Sequence, residues 1–259
     1  MPAVPLILTL FACTEIESKE APPTLESQSL KAVQRFYDDD AEEQIATLVE
    51  LVTAEVTDEP HGFYFGALTP EDVDMYEHSD EAIWEHTTGC GVLAKMRGTV
   101  AQYAAIVPEP DQSFPDPSYA VWSRTITDGD AASFVAGGAL DTWNVVEKSA
   151  VGMSVAYEMD KDFRWYGDTL AMISLVPEGN LPVELLDTEL VVGFTIELWY
   201  TLDDTLIWYN GSWTEIESPL DEDNVDVEGW LDLLISGTLD YYWGTEEHAT
   251  GLPHEESAG

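Results

Sequence analysis

The spacing of apolar residues changes character twice along this chain. In the first third it follows a helix. Ser27 to Tyr37 suits a short helix, and Ile45, Leu48, Val49, Val52 and Val56 recur at helical spacing. Asp40 and Glu43 stand at capping-box distance before that second helix. Thr69-Pro70 opens a third helical segment that runs to about Glu85.

From Gly91 onward the period is two. Val92 to Met96, Gln102 to Val107 and Tyr119 to Ile126 read as strands, the last two separated by a proline-rich loop. Val151 to Met159 alternates as a half-buried strand, and Leu170 to Val176 is more continuously apolar. Phe194, Ile196, Leu198 and Tyr200 alternate with Thr195, Glu197 and Trp199. Leu202-Asp203-Asp204 predicts a tight turn into Leu206 to Tyr209 and Ser212 to Ile216, read as one strand bulged at Asn210-Gly211. Helical spacing then returns. Val227, Trp230, Leu231, Leu234, Thr238, Tyr241 and Tyr242 share a face, with Gly237 expected in a close contact and Gly244 as the end.

Helices, then strands, then one helix predict an α+β domain. The expected form is N-terminal helices followed by a curved antiparallel sheet packed on a long C-terminal helix. This order resembles the helix-grip proteins, which hold apolar ligands between sheet and last helix. The expected organisation is an export signal at 1–12, a tether at 13–26, one domain at 27–244 and a flexible tail at 245–259.

Charge narrows the function classes. Nine Lys and Arg against 51 Asp and Glu give a net charge of −42 over 259 residues. Nucleic-acid binding needs cations to displace counterions from phosphate, so this chain is no candidate. The charge argues against a basic surface for anionic lipid for the same reason. Aromatic residues at 11% set the chain apart from disordered acidic proteins. The last Lys or Arg is Arg164, so residues 165–259 must solvate their carboxylates, bond them to backbone, pair them with the N-terminal part, or bind cations.

The N-terminus carries the sharpest motif. A short apolar run ends in Leu10-Phe11-Ala12-Cys13, followed by a polar, proline-containing stretch. It resembles the lipobox of bacterial envelope lipoproteins. The resemblance implies cleavage before Cys13, lipid attachment at Cys13 and anchoring in a bacterial membrane. Thr14 after the Cys points to the outer membrane. Trp122 and its neighbours, and Lys161 to Trp165, also resemble domains of uncharacterised envelope lipoproteins. With Cys13 acylated, Cys90 has no disulfide partner and reads as a small buried residue.

The sequence carries no familiar reaction chemistry. His78 and His86 are eight apart and off one helical face, and no His-Glu-x-x-His or Cys-x-x-Cys occurs. Gly-x-Ser-x-Gly and Walker loops are absent. The acidic run Asp221 to Asp226 fails the EF-hand pattern at Val225 and Asp226, and reads as a helix-preceding loop with a looser calcium site as alternative. Neither a metal nor a cofactor is therefore expected. Trp122, Trp165, Trp199, Trp208 and Trp213 fall in strands as core residues, with Trp199 on the more polar face as the one suited to ligand stacking. The leading expectation is a lipid-anchored, non-catalytic envelope protein. The alternatives are a binding module for an apolar ligand or glycan between sheet and last helix, and a hydrolase whose acid pair is not visible in sequence.

Overall fold

The structure is a computed structural model and describes residues 22–66, 68–69, 87–116, 118–150, 153–176, 189–217 and 227–253. The lipobox with Cys13, the helix expected after Thr69 and the acidic loop 221–226 lie outside these residues. Two helices open the described chain, α1 (Leu25–Gln34) and α2 (Ala41–Glu55). The strands are β1 (His61–Phe65), β2 (Thr88–Met96), β3 (Tyr119–Gly129), β4 (Leu140–Ala150), β5 (Met153–Tyr166), β6 (Thr169–Leu175), β7 (Glu189–Leu202) and β8 (Thr205–Glu217). Short helices α3 (Val100–Ile106) and α4 (Ala131–Val135) interrupt them, and α5 (Val227–Thr250) follows. The strands form one antiparallel sheet in the order β1-β2-β8-β7-β6-β5-β4-β3. The fold is α+β, a curved sheet gripping a long C-terminal helix.

Both faces of the sheet are covered, which explains why its central strands carry large residues on both parities. On the outer face Ile173, Phe194, Ile196, Leu198 and Ile207 pack against Ala32 and Val33 of α1 and Ile45, Leu48 and Val52 of α2. Polar ties fix these helices: Ser29 Oγ and Tyr209 Oη lie 2.7 Å apart, and Thr53 Oγ1 lies 2.9 Å from Tyr200 Oη. On the inner face Phe163, Leu170, Met172, Trp199 and Trp208 pack against Tyr103 and Ala104 of α3 and Tyr242 of α5. Of the five tryptophans singled out from sequence, Trp213 is in the outer cluster, Trp199 and Trp208 are in the inner one with Trp165 packed against it, and Trp122 joins Val146 and Met159 in a smaller third cluster.

Local chemistry accounts for the departures from the sequence reading. Residues 102–107 are not a strand. Thr99 caps α3, its Oγ1 accepting from Gln102 N while Gln102 Oε1 accepts from Thr99 N at 2.9 Å. This capping box outweighs the short apolar alternation. Asp40 stands at the cap position of α2, yet its carboxylate turns back to Arg35, with Nη2 to Oδ1 at 2.9 Å, and makes no cap bond. β8 is a single strand, as read, but it has no bulge at Asn210-Gly211; the irregularity lies between Leu190 and Val192 of β7. Glycine is needed at 211 because a Cβ would come 2.8 Å from Tyr209 Oη. Asp203 and Asp204 form the expected turn, both with positive φ, at 47° and 64°, the backbone that a two-residue hairpin with right-handed twist requires.

The C-terminal helix also differs from expectation. Gly244 does not end it, and residues 245–250 are helical rather than tail. Gly251, with φ at 69°, supplies the left-handed terminus, its N–H donating to Glu247 O at 2.8 Å. Gly244 and Gly237 exchange roles. A side chain at Gly244 would collide with the Pro115 carbonyl, whereas a Cβ at Gly237 meets nothing within 4 Å. Tyr242 is buried against the sheet and Ile235 and Leu239 are half-buried against it, while Leu234, also half-buried, is not part of that cluster. β1 and β4 are additional to the strands read from sequence.

Candidate functional site

The inner face is not wholly apolar. Cross-strand register places Trp122 and Arg124 of β3, Asn144 of β4, Lys161 and Phe163 of β5, Met172 of β6 and Glu197 and Trp199 of β7 on that one face. Arg124, Lys161, Phe163, Met172, Glu197 and Trp199 meet Tyr241, Tyr242 and Thr245 of α5 and Tyr103, Ile106 and Val107 at α3 around a cavity of about 30 Å³. That volume holds about two water molecules.

Three charged side chains lie in the wedge between sheet and helix. Arg124 is 6% exposed, Lys161 6% and Glu197 4%. Arg124 Nε donates to Asn144 Oδ1 at 2.8 Å, and Nη1 donates to the Val107 carbonyl. Its guanidinium lies 5.3 Å from the Phe163 ring centre. The Lys161 ammonium lies 5.0 Å from the Trp122 ring centre, a cation–π contact, and 3.7 Å from Glu197 Oε1. At that distance the pair attracts but is too long for a hydrogen bond.

Burial dominates the titration of all three. It pulls Lys161 down to about 8 against the opposing attraction of Glu197. It pushes the Glu197 carboxyl up, opposed by Lys161. It lowers Arg124 to about 10, which leaves the guanidinium charged at neutral pH. Two further polar atoms in the lining, Trp199 Nε1 and the Tyr242 hydroxyl, have no hydrogen-bond partner among the described residues.

The wedge is closed by ties along α5. Arg97 donates to Glu246 through its backbone N–H at 2.7 Å and through Nε at 2.5 Å, with Glu246 buried. Across the proline-rich loop, His248 Nε2 lies 2.9 Å from Glu109 Oε2 and stacks on Phe114. Tyr241 stacks on Trp122. The cation-free C-terminal part therefore does pair with the rest of the chain, through Glu197 with Lys161 and Glu246 with Arg97.

Of the residues singled out from sequence, Trp199 is in the site. It does lie on the Thr195-Glu197 face, but α5 covers that face, so Trp199 is buried and not open to solvent. Cys90 is buried on β2, its Sγ 3.6 Å from Ser212 Oγ, and burial pushes its thiol pKa up. His61 and His248 are near the surface, and His78, His86 and His254 lie outside the described residues. Among the described residues no group of three His, Cys, Asp or Glu side chains could hold a metal ion. Glu197 faces a lysine and not a second carboxylate, unlike the paired acids of a glycosidase. Sequence reasoning missed Arg124, Asn144 and Lys161, and it read Glu197 only as part of a polar face. The available signal was parity: Lys161 shares its strand face with Phe163, between the outward-reading Asp160 and Asp162.

No protein-family model matches the chain, and no curated protein matches it. Among solved structures, a STAR-related lipid transfer protein fragment from Xanthomonas axonopodis is similar at 7% identity and TM-score 0.47, covering 66% of this chain and 96% of that one. A protein from Thermus thermophilus is similar at 10% identity and TM-score 0.46, covering 62% and 96%. The lipid transfer and protein localization domain of human StarD13 is similar at 10% identity and TM-score 0.44, covering 79% and 95%.

Proposed function

We propose that this chain is a binding module for an apolar ligand, held between the inner face of the sheet and α5, on a domain tethered to a bacterial envelope through lipidated Cys13. The observation that carries the reading is the buried Arg124, Lys161 and Glu197 cluster beside an aromatic cavity. Burying three charges destabilises a fold relative to apolar residues of similar shape. Such groups sit where a function uses them, and a few convergent polar groups in an apolar lining are how small-molecule sites fix orientation. The cavity is about 30 Å³. An amphiphile needs a few hundred Å³, so binding requires α5 to lift from the sheet.

Two experiments test the reading. Nile red should bind the purified protein with a blue-shifted emission, be displaced by dodecanol, and be lost in Thr245→Phe, which fills the cavity while the melting transition persists. If the wild type gives no blue shift and no displacement, the binding module is wrong. For the tether, Cys13→Ser should move the protein out of the membrane fraction with its melting curve unchanged. A variant that stays membrane-bound would remove the anchor.

A further inference from the structure

The charges in the wedge do not balance. Arg124 and Lys161 are two cations and Glu197 one anion, so the buried cluster carries 2 − 1 = +1. Moving a proton from Lys161 to Glu197 leaves that sum unchanged, because both lose their charge together. The excess is Arg124. Its hydrogen-bond partners are neutral, the Asn144 amide oxygen and the Val107 carbonyl, and among the described residues no carboxylate touches it, although Glu197 attracts it across the wedge. An uncompensated buried charge is costly, and one matching anion would relieve the cost.

A second, independent observation points the same way. Trp199 Nε1 is a donor only, and it is buried without an acceptor among the described residues. The Tyr242 hydroxyl is in the same condition, 1% exposed. Both line the cavity that Arg124 and Lys161 line. The site thus offers more donors and positive charge than its one carboxylate, Glu197, can match.

The rest of the lining decides what bears that charge. Phe163, Leu170 and Met172 present hydrocarbon, so a small hydrophilic anion would leave most of the wall unmatched. We propose, building on the binding-module reading, that the ligand is a singly charged carboxylate amphiphile, such as a fatty acid. Its carboxylate meets Arg124, Lys161 and Trp199 Nε1, and its chain lies along Phe163, Leu170 and Met172. A single charge matches the single excess. A phosphate monoester carries about −1.5 to −2 at neutral pH and would leave Glu197 facing surplus negative charge.

The test is a headgroup series on one chain length, measured at pH 7 by displacement of Nile red from the intact protein. Dodecanoate should bind about tenfold to a hundredfold tighter than dodecanol or dodecylamine, the gain expected for a hydrogen-bonded charge. Dodecyl phosphate should bind more weakly than dodecanoate. Arg124→Gln removes the excess charge, so the preference for dodecanoate over dodecanol should vanish while dodecanol still binds. If dodecanol matches or exceeds dodecanoate on the wild type, the carboxylate assignment is overturned and the binding module stands. If dodecyl phosphate binds best, the single-charge argument is overturned. If no member of the series binds, the binding module itself falls. The wild-type series decides between these even where Arg124→Gln fails to fold.

Discussion

Lys161 Nζ lies 3.7 Å from Glu197 Oε1, reaching diagonally across β6 from β5 to β7, with both side chains almost wholly buried. In water such a pair would be worth little. Here the loss of hydration is the larger effect, and both titrations move in the direction burial imposes. The pair is a cost of the site and not a source of stability.

This has a stability consequence. Lys161→Met alone leaves Glu197 buried without its partner and should lower stability by about 3–5 kcal/mol. Lys161→Met with Glu197→Leu removes both charges and should come out equal to wild type or about 1–4 kcal/mol more stable. Urea unfolding of the two variants measures both. A double variant as unstable as the single one would mean that the pair holds the fold together.

The same pair predicts a pH slope. Lys161 titrates at about 8 in the folded chain against 10.5 as an ordinary lysine. Between those values the unfolded chain binds a proton that the folded chain does not, so this group's contribution to stability rises with pH across that window. Below about 8 the contribution is at its lowest. Wild type measured against Lys161→Met should therefore gain stability from pH 8 to pH 10.5. A flat difference would place the ammonium in contact with water.

The two helical glycines of α5 should respond oppositely to alanine. At Gly237 a Cβ meets nothing within 4 Å, so Gly237→Ala should stabilise by about 0.4–1 kcal/mol. At Gly244 the methyl would collide with the Pro115 carbonyl, so Gly244→Ala should cost about 1–3 kcal/mol and loosen the proline-rich loop. Thermal melts of the two variants decide. Equal effects would mean that α5 does not approach that loop closely.

How far the sequence revealed this arrangement depends on what each residue's neighbours in sequence disclose. The alternation from Phe194 to Tyr200 located β7 and put Trp199 with Thr195 and Glu197, which is correct. Alternation reports parity, not whether a second layer covers the polar parity. That cover comes from α5, far along the chain, so the polar face looked open to solvent. Arg124, Asn144 and Lys161 converge only through register across three strands; parity puts Lys161 on the Phe163 face but does not disclose what it meets there. β4 was missed because Asp141, Glu147 and Lys148 dilute its apolar pattern. The helix 100–106 was read as a strand because its short alternation from Gln102 suits period two, and its deciding feature was the Thr99 and Gln102 cap.

Charge makes a separate prediction. With a net charge of −42, surface carboxylates repel one another, and added salt screens that repulsion as the Debye length falls from about 30 Å at 0.01 M to about 10 Å at 0.1 M. The melting temperature should rise with NaCl and level off by a few tenths molar. A melting temperature that stays fixed over this range would show that the carboxylates are already compensated within the fold.

The central claim is that a ligand sits between α5 and the inner face, and amide hydrogen exchange with and without saturating dodecanol tests it most directly. Exchange should slow in residues 239–250 of α5 and in residues 100–112, which bound the cavity. Residues 45–52 of α2, on the opposite face, should not change. Protection confined to α1 and α2, or no protection anywhere, would contradict a site beneath the C-terminal helix.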